Sequence, residues 1–117
     1  MNARTFVRAI RESVYKNVAK AVTEALESPP GRRPDAEIVR LSEWFHALAP
    51  SDRANVTRVA DMAADLTIYN FLLVLDGHRA IEPVGPKGRL ELFHRDEEGL
   101  TLLNDEEGDE LTSLYKE

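Results

Sequence analysis

Three prolines and a glycine fall within the seven residues Ser28-Pro29-Pro30-Gly31-Arg32-Arg33-Pro34, and no helix crosses such a run. Each proline lacks the N–H a helix needs and restricts the residue before it, so Ser28 is pushed toward extended geometry. Pro50 and Gly77 make two further breaks. Between these breaks apolar residues return at helical spacing, and the chain up to Gly77 reads as three helices.

Phe6, Val7, Ile10, Val14, Val18, Val22, Ala25 and Leu26 recur mostly at steps of three and four, which draws one stripe along a helix over residues 5–27. Thr5 is its expected N-cap. Asp35 is placed to cap a second helix over 36–49, in which Ile38, Leu41, Phe45 and Leu48 form the apolar face and Trp44 widens it. Pro50 ends that helix, and Ser51 is the expected cap of a third over 52–76. Val56, Val59, Ala63, Leu66, Asn70, Leu73 and Val74 share one stripe of it, expected to face inward, and Gly77 stands where a left-handed C′ residue is wanted. At about 1.5 Å per residue this helix reaches about 37 Å, the length of a central element.

Beyond Gly77 the period changes. Gly85-Pro86-Lys87-Gly88 predicts an irregular connection, after which Leu90, Leu92 and His94 alternate with Glu91, Phe93 and Arg95. Alternation of period two predicts a strand over 89–95, with Asp96-Glu97-Glu98-Gly99 as the turn and 100–103 as the returning strand. A short last helix over 108–115 would bury Leu111 and Leu114. The expected fold is α+β, mainly α: a three-helix bundle-like core with a long central helix, a small C-terminal β-hairpin and a short terminal helix, in one domain of 117 residues.

Charge is distributed unevenly. Residues 1–58 carry ten Lys/Arg and seven Asp/Glu, residues 59–95 four and five, and residues 96–117 one and nine. The last 22 residues thus hold a net charge of −8 in a chain whose total is −6. Clustered carboxylates of this kind steer a basic partner. Asp105, Glu106, Glu107, Asp109 and Glu110 are therefore candidate partner-binding residues. Asp61 and Asp65, four apart on the third helix with Tyr69 at the next step, form a second candidate surface, although such a pair is also the ordinary solvated side of a helix.

Motifs of catalysis are sparse. The chain has no cysteine, which excludes a disulfide framework, a thiolate metal site and a cysteine nucleophile. No glycine-rich phosphate loop, histidine pair at metalloprotease spacing or EF-hand loop is present. The sequence therefore implies no cofactor. Asp76, His78 and His94 offer one low-ranked alternative, since the hairpin can fold back over the end of the third helix and imidazoles near a carboxylate bind metal or move protons. Arg4, Arg8 and Arg11 line one side of the first helix. Nucleic-acid binding is disfavoured by the acidic total, and the same face can instead meet the acidic C-terminal region within the fold.

The longest apolar run, Phe71 to Leu75, is far short of the roughly 20 residues that span a bilayer. A cytoplasmic protein without membrane contact is expected. The stretches EWFHALAPSDRANV, FLLVLDGHRAI, GRLELFHR, LLND and LTSLYKE resemble small uncharacterised bacterial proteins with a helical region followed by a strand pair. That resemblance implies a bacterial cytosolic setting and carries no activity with it; some such small acidic proteins look like immunity proteins. The expectation is a non-enzymatic protein-binding module, in the manner of an immunity protein or antitoxin, with a basic protein as partner. A homodimer is a further option, because a long apolar helix in a small domain has surplus face to cover.

Overall fold

Asn2 begins the first helix. In extended geometry (φ −106°, ψ 177°), its side chain accepts from the Thr5 N–H at 2.9 Å and opens α1 (Ala3–Ile10). The asparagine thus takes the cap role expected of Thr5, which lies inside the first turn. The computed structural model describes residues 1–82, 84–85 and 88–117, so part of the Gly85–Gly88 connection lies outside the described residues. α1 is followed by a π-helical turn (Arg11–Tyr15) and by α2 (Lys16–Glu27). The single helix expected over 5–27 is therefore interrupted, which steps of three and four cannot reveal because one wider turn barely disturbs them. The remaining elements are α3 (Ala36–Ala47), α4 (Pro50–Leu75), β1 (Phe93–Asp96), β2 (Gly99–Leu102) and α5 (Leu111–Lys116). The architecture is α+β and mainly α, with a two-stranded antiparallel sheet and a short C-terminal helix.

The contacts divide the chain into two compact units, Tyr15–Asp65 and Met1–Val14 with Leu66–Glu117. In the first, Asp35 caps α3 as expected, accepting from the N–H groups of Glu37 at 2.9 Å and Ile38 at 3.3 Å. α3 then closes the end of α2. The Ser42 hydroxyl donates to the Leu26 carbonyl at 2.7 Å, and His46 Nε2 lies 2.8 Å from the Glu27 carbonyl, two acceptors that the last turn of α2 leaves open. Pro50 is not a stop before a Ser51 cap. It is the first residue of α4, where a missing N–H costs nothing.

α4 is turned differently from its expected orientation. Val59 and Leu66, placed inward by the sequence pattern, are 59% and 49% exposed, and Met62 beside them is 57% exposed. The half-buried positions of this stretch include Thr57, Ala60, Asp61, Ala64 and Asp65. Alanines at 60 and 64 leave room for neighbouring elements to come close, so a small-residue face can turn inward in place of a bulky one. Within Tyr15–Asp65 the only buried residues are Ser42 and Phe45.

The second unit holds the main core. Val7 of α1, Leu72 and Leu75 of α4, and Leu111, Leu114 and Tyr115 of α5 form one buried cluster, with Phe6, Ile68, Tyr69 and Leu92 packed around it. α4 ends as the sequence predicts. Gly77, at φ +81°, is the C′ residue, its N–H donating to the Val74 carbonyl and the His78 N–H to the Leu73 carbonyl, a Schellman closure. The hairpin pairs Phe93 with Leu102 and Asp96 with Gly99, around the expected turn. Its strands are shorter than 89–95 and differently bounded from 100–103: the Leu92 carbonyl still accepts from the Leu103 N–H at 2.8 Å, but the Leu92 N–H and the Leu90 carbonyl are bonded to the side chain of Asn104.

Candidate functional site

The polar groups near the end of α4 converge on the segment that leads into α5. Asp76 follows α4 directly, and its carboxylate faces the first turn of α5. Oδ1 accepts from the Leu111 N–H at 2.8 Å, and Oδ2 accepts from the Thr112 N–H at 2.9 Å and the Thr112 hydroxyl at 2.7 Å. Glu110, the N-cap residue by position, makes no cap bond with its own side chain. Asp76 therefore caps α5 from a distant part of the sequence, and its oxygens are committed to that task.

His78 and Glu110 form the exposed rim of the same place. His78 Nε2 lies 2.5 Å from Glu110 Oε1, and the hydrogen bond to Glu110 raises the imidazole pKa above its ordinary 6.5, with smaller help from the charges of Glu110 and Asp76. Arg89 reaches over from the other side, pairing with Glu106 at 3.2 Å and donating to the Asn104 carbonyl. These groups line an open cavity of about 290 Å³.

Beneath Arg89 lies Asn104, 3% exposed. Its amide nitrogen donates to the carbonyls of Leu75 and Leu90, both at 2.7 Å, and its amide oxygen accepts from the Leu92 N–H at 2.8 Å. One side chain thus ties the end of α4, the approach to β1 and the exit from β2. The sequence reading missed it. The available signal was an amide directly after the apolar pair Leu102-Leu103, a position where burial obliges it to find partners.

The three residues of the metal alternative are not brought together. Asp76 and His78 share the cavity, but His94 stands on β1 opposite Thr101 and does not line it. His94 Nδ1 is shielded from solvent with no hydrogen-bond partner among the described residues, its neighbour Asp96 Oδ2 being 3.6 Å away. Among the described residues no three His, Asp or Glu side chains form a group able to hold a metal ion.

The acidic candidates differ in how they are engaged within the fold. All of residues 105–110 are exposed. Asp105 is folded into its own turn, accepting from the Glu107 N–H at 3.0 Å, while Glu106 and Glu110 are the partners of Arg89 and His78. Glu107 and Asp109 are exposed, and the charge of Asp109 acts on the Arg4 guanidinium. Asp61, Asp65 and Tyr69 do not make the expected solvated patch. Both aspartates are half-buried, and Tyr69 packs on the main core with the Lys116 ammonium 4.6 Å from its ring centre.

The arginines of α1 are turned toward the C-terminal segment. Arg4 pairs with Glu117, and Arg11 donates to the Tyr115 carbonyl while its guanidinium lies 4.2 Å from the centre of the Tyr115 ring. This is the intramolecular use of the basic face that the charge distribution allowed, and it leaves less of that face for phosphate.

Exposed apolar side chains stand on both units: Phe71, Ile81, Leu90, Phe93 and Leu100 on one, and a further set on Tyr15–Asp65. Val18 and Val22 of α2 are 44% and 40% exposed, Trp44 of α3 is 47% exposed, and Val59 and Met62 of α4 exceed 55%. Among the described residues no helix is long and apolar enough to cross a membrane. The chain matches no family model, no curated protein and no solved structure.

Proposed function

We propose that the protein is a non-enzymatic protein-binding module that binds through the exposed apolar side chains of Tyr15–Asp65. One observation carries this reading: the unit Tyr15–Asp65 buries a single large apolar side chain, Phe45, while Val18, Val22, Trp44, Val59 and Met62 stand in solvent. Leu26, Ile38, Leu41, Leu48 and Val56 are only half-buried beside this one phenylalanine, so the stretch has little apolar burial to set against the entropy of ordering its backbone. Contiguous exposed apolar surface is the mark of an interaction site. The cavity at Asp76 and His78 supports catalysis less well, because its central carboxylate already serves the α5 cap.

The finer form of the reading is an inhibitor in the manner of an immunity protein or antitoxin, acting in the cytoplasm of a bacterial cell. The exposed run from Asp105 to Glu110 supports it, as a surface that speeds encounter with a basic protein. The absence of cysteine accords with a reducing compartment.

The test is a photo-crosslinking amino acid in place of Met62, introduced in the cells that express the protein, with the same group in place of the exposed Ser113 as control. A covalent adduct of defined mass at position 62, absent at 113, is expected. No adduct at position 62 would refute this assignment.

A further inference from the structure

We draw no further inference here: the strongest candidate, the open cavity of about 310 Å³ between the end of α4 and the approach to β1, lined in part by Val74, Arg79, Ile81, Glu82, Arg89 and Leu90, carries none, because its Arg89 is already paired with Glu106 and its Glu82 with the Gly88 N–H, and nothing in the structure shows what would fill it.

Discussion

Asp76 and Thr112 stand 36 residues apart in the sequence and are joined by two hydrogen bonds to one carboxylate oxygen, from the Thr112 N–H at 2.9 Å and its hydroxyl at 2.7 Å. The other oxygen holds the Leu111 N–H. A six-residue helix is too short to persist by its own hydrogen bonds, so α5 depends on this cap and on the burial of Leu111, Leu114 and Tyr115. Asp76→Ala leaves three donors without their acceptor and is expected to cost about 2–3 kcal/mol in denaturant unfolding. Asp76→Asn keeps one acceptor oxygen and is expected to fall between. Hydrogen exchange at the Leu111 and Thr112 amides should report the loss first; unchanged protection in Asp76→Ala would remove the capping role.

Asn104 is the second long-range tie. Asn104→Leu preserves approximate volume but strips partners from the carbonyls of Leu75 and Leu90 and from the Leu92 N–H. Each unpartnered buried group costs about 1–3 kcal/mol, so a loss of about 3 kcal/mol or more is expected. Asn104→Asp retains an acceptor for Leu92 while setting a carboxylate against two carbonyls. It should be as damaging at neutral pH and should recover part of its stability when the carboxyl is protonated in acid. Chemical denaturation of the two variants at neutral and acid pH measures both effects.

What could be read from the sequence was local, and what escaped it was relational. Gly77 was legible because a C′ residue needs a left-handed φ, Asp35 because an acid before a helical period is a cap, and Asp96–Gly99 because the period-two pattern stops there. These assignments depend on a residue and its immediate neighbours. The orientation of α4 depends on what the helix meets. Val59 and Leu66 on one side and Ala60 and Ala64 on the other both satisfy a helical period, and the pattern cannot say which side is covered within the chain. Asp76 looked like a metal ligand beside His78, and only its distance from α5 shows it to be a cap. Asn104 was passed over for the same reason, since an amide is read as polar surface until its backbone partners are known.

The His78–Glu110 pair makes a pH-dependent contribution. The hydrogen bond to Glu110 raises the folded-state pKa of His78 above 6.5, so the folded chain holds this proton more tightly than the unfolded chain does. The stabilisation is then complete below the unfolded value and is lost as pH rises through the raised one. Wild-type stability should decline across that window relative to His78→Gln. The pair is exposed, so its effect should also shrink with added salt. Unfolding midpoints of the two proteins across pH, at low and high salt, decide the matter; parallel profiles would show that the pair contributes nothing.

Phe45 and Trp44 are adjacent on α3 and meet opposite fates, 4% and 47% exposed. The sequence pattern placed both on the apolar face. In the structure Phe45 alone among the large apolar residues of Tyr15–Asp65 is fully buried, Ile38, Leu41 and Leu48 of the same segment being half-buried, and it lies on the side of α3 from which Ser42 reaches the Leu26 carbonyl. Truncating it removes the buried anchor of that unit, so Phe45→Ala is expected to cost about 3–5 kcal/mol. Trp44→Ala should cost under about 1 kcal/mol in the isolated chain, because surface side chains contribute little to folding. The ratio of these two losses, measured by denaturation at concentrations low enough to exclude association, tests the burial pattern directly. Equal losses would mean that Trp44 is covered within the single chain and that the apolar surface of α3 is smaller than its exposure indicates.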